Sequence, residues 1–235
     1  MRNDNSSRFG KFIQVLFSEK NQIAGANVIN YLLEKSRVVN QAPNERNYHV
    51  FYELLRGASA AELKDCILMS ANQYWYLSQG GAVDIKGTDD KSKFQSLKLA
   101  MTVLNFPETS IREIFQTLSA ILWFGNINFE ETADKESVRV SPATQDVLET
   151  IAKLLKIDMD QLAEVLTVRK LVILQETNLV PYKLSQACDN RDSIAKTLYE
   201  RLFNKIVAII NSCLIARKES LRYIGVLDIF GFEGL

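Results

Sequence analysis

Two short stretches of this 235-residue chain carry the side chains best suited to phosphate chemistry. The first lies near the start and supplies amides, hydroxyls and a planar guanidinium, from Asn3, Asn5, Ser6, Ser7 and Arg8. A nucleotide hydrolase needs oxygen ligands for magnesium, donors around the terminal phosphate and a group that holds the attacking water. The stretch contains suitable groups, although a polar loop before a strand has the same composition.

The second stretch begins where the apolar run 223–227 ends, at Asp228. In open α/β sheets, ligands bind beyond the carboxyl ends of the strands, so this carboxylate is expected to emerge at a binding edge. Gly231 lets the backbone approach a phosphate closely and offers its N–H as a donor. Glu233 is able to accept two hydrogen bonds from a guanidinium. A strand that ends in an ordinary turn is the alternative for these residues taken alone.

The composition excludes several other classes of function. The 28 basic and 28 acidic residues balance, so no whole-chain field attracts nucleic acid or anionic membrane. No apolar run approaches the roughly 18 residues that span a bilayer, and we expect no membrane insertion. The three cysteines are scattered and His49 is the sole histidine, which disfavours a disulfide framework or a zinc site and favours the cytoplasm.

The spacing of apolar residues predicts strands at the start and helices after them. Residues 12–17 and 23–28 are expected to form two strands joined by a hairpin turn. From residue 44 to residue 166 apolar residues recur every three or four positions, which is typical of helices. Capping boxes are predicted at Ser59/Glu62 and Ser110/Glu113, and Gly125 is expected to end the second of these helices.

The second half contains the longest predicted helix, which is expected to follow Asp192. Three polar stretches, 80–93, 130–141 and 167–184, interrupt the helical pattern. The run 223–227 is apolar on both faces, and such a strand belongs in the middle of a sheet that is covered on both sides. Because three candidate strands cannot build that sheet, we expect the chain to be a piece of a larger protein.

The two end stretches together resemble the nucleotide-sensing switches of the myosin motor family. Asn-Asp-Asn-Ser-Ser-Arg-Phe-Gly-Lys-Phe at 3–12 is similar to switch I, and Asp-Ile-Phe-Gly-Phe-Glu at 228–233 is similar to switch II. The segments 31–37, 45–52 and 118–129 also resemble myosin, in the expected order. Kinesin switches differ at both places. The resemblance covers essentially the whole chain.

The resemblance implies an α/β, mostly helical fragment of the P-loop NTPase-type motor of an unconventional myosin. Residues 1–30 would hold switch I and two transducer strands, 31–221 the mainly helical upper actin-binding block, and 222–235 a central strand and switch II. The chain contains no Gly-x-x-x-x-Gly-Lys-Ser/Thr loop, so the phosphate cradle is expected elsewhere in the parent protein.

The resemblance implies ATP and magnesium as cofactors. Ser7 would ligate Mg²⁺ directly, Asp228 would support the metal through water, and Asn3 and Asn5 would lie beside the nucleotide.

The same resemblance assigns catalytic roles to four residues. Ser6 would approach the terminal phosphate and the attacking water, and the N–H of Gly231 would bind that phosphate. Arg8 would form an ion pair with Glu233 behind the terminal phosphate.

The resemblance also implies actin filaments as the partner. The stretch 167–184 matches a surface loop that touches actin, with Arg169, Lys170 and Glu176 as the contact residues. Position 176 is acidic or phosphorylatable in the family, so with Glu176 we expect no gating by phosphorylation there, although Thr177 is adjacent. Residues 130–141 are a second candidate for filament contact, with a solvated loop as the alternative. Light chains or calmodulin would bind only through segments that this chain lacks.

Two functions of different class follow. The parent protein would be an actin-activated ATPase of the actin cytoskeleton. The alternative is a truncated, catalytically inactive actin-binding or interaction module, which the missing phosphate loop favours for the chain by itself.

Overall fold

The computed structural model describes residues 8–133, 136–173, 176–214 and 222–229. Strands within these residues are β1 Gly10–Phe17, β2 Ile23–Tyr31, β3 Phe129–Glu131, β4 Val138–Val140, β5 Val168–Ile173, β6 Glu176–Pro181 and β7 Arg222–Asp228. Helices are α1 His49–Gly57, α2 Ala60–Asp65, α3 Trp75–Ser78, α4 Asp90–Val103, α5 Glu108–Phe124, α6 Gln145–Leu155, α7 Met159–Thr167 and α8 Leu184–Leu214. Short 3₁₀ turns occupy Lys35–Val38, Ala71–Gln73 and Pro142–Thr144. The α/β, mostly helical class is confirmed, and no described helix is long and apolar enough to cross a membrane.

A three-stranded antiparallel sheet joins the two ends of the chain in the order β2-β1-β7. The predicted strands at 12–17 and 23–28 are confirmed, and both extend further than expected. The hairpin turn between them is also confirmed. It is closed by the Ser18 N–H, which donates to the Gln22 carbonyl at 2.9 Å, and Asn21 adopts the left-handed conformation with φ 57°. Asparagine tolerates this conformation better than most residues.

The last strand is uncovered within the residues that the structure describes, and its place in the middle of a larger, covered sheet stays a prediction. There β7 pairs only with β1, and all of its residues are exposed, with Ile224 at 60%. The apolar pattern of a strand indicates which of its faces are suited to burial. Whether those faces are buried depends on neighbouring elements, which the described part of the chain does not supply.

The helical block is built around α5. Its apolar stripe is buried and packs against α3, α6 and α8. The predicted capping box at Ser110/Glu113 is wrong, because α5 begins earlier, at Glu108, directly after Pro107. Proline suits a helix start, since the first turn leaves its N–H groups unbonded. The end at Gly125 and the capping box at Ser59/Glu62 are both confirmed.

Two further predictions in the second half are corrected by the structure. The longest helix begins at Leu184 and not after Asp192, and the Asp192 carboxylate accepts a hydrogen bond from the Tyr76 hydroxyl at 2.6 Å from within α8. The polar stretches 130–141 and 167–184 are not plain loops, since they contain the antiparallel hairpins β3–β4 and β5–β6. Their β-branched residues were the available signal, and the surrounding charges obscured it.

A buried ion pair ties α1, α4 and the segment before them together. The Asp90 carboxylate is fully buried and accepts hydrogen bonds from the Arg46 guanidinium at 3.2 and 2.7 Å. Arg56 donates to the same carboxylate, and Arg46 also lies over the Tyr52 ring. Burial by itself raises the pKa of Asp90, but the hydrogen bonds and charges of the two arginines outweigh it and lower the pKa.

We expect Asp90→Asn to lower the free energy of unfolding by about 3 to 5 kcal/mol, because it leaves the buried Arg46 charge uncompensated. The matched control is Asp84→Asn, which removes the exposed partner of Arg56 and should change the free energy by less than about 1 kcal/mol. Equilibrium urea unfolding measures both. Equal effects of the two variants would contradict the assignment.

The same ion pair predicts a pH dependence. A lowered pKa means that Asp90 stabilises the fold above its unfolded-state pKa of about 3.9, and that this contribution is lost as the pH falls through the lower folded-state value. Asp90→Asn should therefore flatten the acid side of the stability profile.

Candidate functional site

The start of β1 and the end of β7 lie side by side where the strands of the three-stranded sheet end. This border of the sheet is the edge that carries the candidate site. The antiparallel register of β1 and β7 places Lys11 opposite Asp228, and the Lys11 Nζ lies 3.6 Å from the Asp228 Oδ2. Asp228 is the last residue of β7, as the sequence predicts, and its side chain is 58% exposed. The chain segments that adjoin the two candidate switches are therefore brought together by strand pairing.

Arg8 lies just before β1 and is held by Glu34, which follows β2. The Arg8 Nη1 lies 3.5 Å from the Glu34 Oε2, and the Arg8 carbonyl accepts a hydrogen bond from the Glu34 N–H at 3.0 Å. Both side chains are about one-third exposed, so the ion pair contributes little to stability, about 0 to 1 kcal/mol. The backbone bond fixes where the chain enters β1, whereas the ion pair is easily exchanged for another.

Glu34 is itself positioned by residues of the helical block. Its carboxylate accepts hydrogen bonds from Arg37 at 2.8 and 3.2 Å, and its carbonyl accepts one from the Tyr48 hydroxyl at 3.0 Å. Burial would lower the pKa of Arg37, but hydrogen bonds to Glu34 and Glu45 raise it above the ordinary value. Arg37 therefore remains charged. The sequence motifs did not indicate Glu34, because its role depends on contacts made by distant segments.

Aromatic contacts attach the same region to α8. The rings of Phe9 and Phe203 meet edge to face with centroids 4.9 Å apart, and Tyr48 stacks on Tyr199 at 4.6 Å. Phe9 follows Arg8 directly, so α8 contacts the chain at the exit of the first candidate switch. Pairs of this geometry contribute about 0.5 to 1.5 kcal/mol beyond the area that they bury.

The structure describes only part of the predicted nucleotide site. Arg8 and Asp228 are described, and they lie at the same edge of the sheet. The other predicted residues, Asn3, Asn5, Ser6, Ser7, Gly231 and Glu233, lie outside the described residues. Within the described ranges, no cluster of three or more His, Cys, Asp or Glu side chains could hold a metal ion.

The predicted actin-contacting residues lie on the β5–β6 hairpin. Arg169 and Lys170 are exposed on β5, where they pair in register with Val180 and Leu179 of β6. The Lys170 Nζ also lies 3.2 Å from the Glu164 Oε1 on α7. Glu176 begins β6 opposite Ile173, at the tip of the hairpin. The hairpin therefore presents positive charge beside the exposed apolar side chains of β6.

An open cleft of about 450 Å³ lies between the β3–β4 hairpin and the segment that joins β6 to α8. Glu131 and Val138 line one side of it, and Tyr182 and Lys183 line the other. The β3–β4 hairpin carries the Arg139 guanidinium, whose Nε donates to the Glu130 carboxylate at 2.8 Å. Both stretches that the sequence singles out for filament contact thus border one surface.

A larger cleft, of about 620 Å³, lies between α2, α4 and α5. Cys66 lines it, but burial, followed by the charges of Asp65 and Glu62, raises the pKa of this thiol to about 11. A thiol with this pKa is protonated at neutral pH and is a poor nucleophile. The cleft therefore offers no cysteine chemistry.

Comparison with known proteins shows the family of this chain. The family model described as myosin head (motor domain) matches residues 1–235. This chain belongs to the myosin motor family. The myosin resemblance inferred from the switch motifs is confirmed at the level of the family.

Several myosin heavy chains are similar to this chain along almost its whole length. A myosin-I heavy chain of Dictyostelium discoideum is 46% identical over 235 residues, which cover 99% of this chain and 10% of the relative. Unconventional myosin-IXb of Rattus norvegicus is 44% identical, with 98% and 12% covered, and unconventional myosin-Vb of Homo sapiens is 43% identical, with 99% and 12% covered. The chain thus spans about a tenth of the length of these relatives.

Gly225 on β7 packs closely against β1, so substitution of this glycine tests the register of the two strands. A Cβ at Gly225 would overlap the ring of Phe12 on β1. We expect Gly225→Ala to lower the free energy of unfolding by about 1 to 3 kcal/mol, as overpacking does. Phe12→Leu should relieve the clash in the double variant. The coupling in the double-mutant cycle, measured by urea unfolding, should reach about 0.5 to 3 kcal/mol. Strictly additive effects would contradict the contact.

Proposed function

We propose that this chain is part of an actin-based motor that couples Mg-ATP hydrolysis to movement along actin filaments. The observation that carries the proposal is the register of β1 against β7, which brings the neighbourhoods of Arg8 and Asp228 to one edge of the sheet. Membership of the myosin motor family supports the same activity for the parent protein. We place this motor on the cytoplasmic actin cytoskeleton.

The donors in this region suit magnesium and a nucleotide. Mg²⁺ prefers oxygen ligands and is usually held by one or two carboxylates together with phosphates and water. Asp228 offers an exposed carboxylate at a strand end, and the hydroxyl of Ser7 would be the direct protein ligand. Bound Mg²⁺ would neutralise charge on the phosphates. Asn3 and Asn5 would position the nucleotide beside them.

Arg8 and Glu233 are proposed to close the site behind the terminal phosphate. The ion pair of Arg8 with Glu34 is long and about one-third exposed, so the guanidinium can exchange Glu34 for Glu233 at little cost. The N–H of Gly231 would bind the terminal phosphate, and Ser6 would hold the attacking water. Closure of this loop onto the phosphate is the movement that the rest of the motor would amplify.

We assign residues 1–30 to switch I and two transducer strands, 31–221 to the upper actin-binding block, and 222–235 to a central strand and switch II. Filament contact is assigned to Arg169, Lys170 and Glu176 on the β5–β6 hairpin. Because position 176 is already acidic, contact should not require phosphorylation there. A finding that phosphorylated Thr177 is required for actin-activated turnover would overturn this point.

Co-sedimentation with actin filaments tests the proposal. We expect the complete heavy chain that carries these residues to pellet with actin and to be released by ATP. The variant Arg169→Glu/Lys170→Glu should weaken binding and its dependence on salt, because it reverses exposed charges on the hairpin. Arg139→Glu on the β3–β4 hairpin is the matched control and should change binding less.

The outcomes separate the two classes of function. Release by ATP supports the motor. Binding that ATP does not alter supports a catalytically inactive binding module, and absence of binding overturns both. An equal loss of binding in both charge-reversal variants would assign the contact to the two hairpins together.

Asp228→Asn tests the nucleotide site directly. We expect the ATPase rate to fall by about 10- to 100-fold, the usual effect of removing a group that orients a metal through its outer shell. Lys11→Gln removes the exposed partner of Asp228 and serves as the control, with a change of less than about threefold. Steady-state phosphate release measures both variants, and an unchanged rate in Asp228→Asn would contradict the assigned role.

A further inference from the structure

Helix α8 joins the β5–β6 hairpin to the edge of the three-stranded sheet. It contains 31 residues and is therefore about 46 Å long at 1.5 Å per residue. Its first turn follows β6 after only Tyr182 and Lys183. Its second half packs along β2. Any displacement of the hairpin is thus applied to one end of a rigid element whose other half lies on the sheet.

Asn211 attaches α8 to the backbone of β2. Its Oδ1 accepts a hydrogen bond from the Val28 N–H at 2.8 Å, and its Nδ2 donates to the Val28 carbonyl at 2.8 Å. Alternate residues of an edge strand direct both backbone groups away from the neighbouring strand. The Asn211 side-chain amide bonds to both groups as another strand would, and α8 is thereby attached to the backbone of β2.

Two other contacts lie along the same side of α8. The Asn30 Nδ2 donates to the Asn204 Oδ1 at 3.2 Å, and the Lys35 Nζ lies 3.0 Å from the Glu200 Oε1. These are exposed contacts between side chains, which compete with water and hold weakly. Asn211 therefore makes the one bidentate contact to backbone among the hydrogen bonds described between α8 and β2.

The strand register connects Val28, the residue that Asn211 contacts, to β7 through β1. Val28 is opposite Ile13, and Ile13 is opposite Val226 on β7, two residues before Asp228. The next rung on the same face runs from Asn30 through Lys11 to Asp228 itself. Hydrogen-bonded strands move together, so a shift of β2 is passed to the edge where the candidate nucleotide site lies.

We propose that Asn211 is a positioning residue that couples the β5–β6 hairpin to the nucleotide edge of the sheet. The inference rests on the proposed motor function and adds to it the link by which filament contact alters turnover. Asparagine suits this role because one short side chain carries both a donor and an acceptor. A residue that merely filled space at this position would remove the hydrogen bonds from α8 to the β2 backbone and leave the contacts elsewhere on the helix.

The test compares variants of the complete heavy chain in ATPase assays with and without actin filaments. In Asn211→Ala we expect the basal ATPase rate to stay within about twofold of wild type. The stimulation by actin should fall by at least about fivefold, the lower end of the usual range for coupled sites. The matched control Asn204→Ala, on the same side of α8, should keep its stimulation within about twofold.

Asn211→Asp is the second variant, for the case in which Asn211→Ala fails to fold. It has nearly the same shape and keeps the acceptor for the Val28 N–H, but it loses the donor to the Val28 carbonyl. We expect it to lose stimulation relative to Asn204→Ala, because a carboxylate oxygen then faces the Val28 carbonyl and repels it.

The outcomes are distinguishable. Full stimulation in both Asn211 variants overturns the inference, and so does an equal fall in basal and stimulated rates, which indicates a purely structural role. A selective loss of stimulation supports it. If the wild-type heavy chain is not stimulated by actin, the proposed function fails and this inference fails with it, whereas a stimulated wild type with stimulated variants overturns the inference alone.

Discussion

The antiparallel register of β1 with β2 and β7 is the constraint on which the site depends. It sets Lys11 opposite Asp228 and thereby joins segments from the two ends of the chain. A shift of one residue would move every side chain of a strand to the other face of the sheet. Gly225 helps to set this register, because its missing side chain leaves room for the Phe12 ring. The edge that results carries the exposed carboxylate of Asp228, for which we propose a role in supporting Mg²⁺.

The helical block holds this edge in place through specific polar contacts and not through apolar packing alone. Glu34 receives hydrogen bonds from Arg37 and Tyr48, and it fixes the backbone of Arg8 in turn. The Arg46–Asp90 pair has a similar structural role within the block, where burial makes the loss of either residue costly. Rigid support and an exchangeable Arg8 side chain therefore occur at the same place, which is the combination that a switch needs.

Helix α8 gives the molecule its long-range connection. It contacts Phe9 through Phe203, grips β2 through Asn211, and begins beside the hairpin that carries Arg169. Apolar packing by itself would let a helix settle at several positions along a strand. Paired hydrogen bonds to backbone restrict the helix to positions where both the donor and the acceptor are satisfied. The function that we propose uses this fixed position.

Local sequence determined the elements whose signals are complete within a few residues. The hairpin of β1 and β2, the capping box at Ser59/Glu62 and the end of α5 at Gly125 follow from short-range sterics and hydrogen bonding. The switch motifs also identified the family without any structure, because their residue types match their chemistry. Tertiary contacts decided the rest. Asp192 lies inside α8, where the distant Tyr76 hydroxyl donates to its carboxylate, and the roles of Glu34 and Asn211 exist only through partners that are distant in sequence.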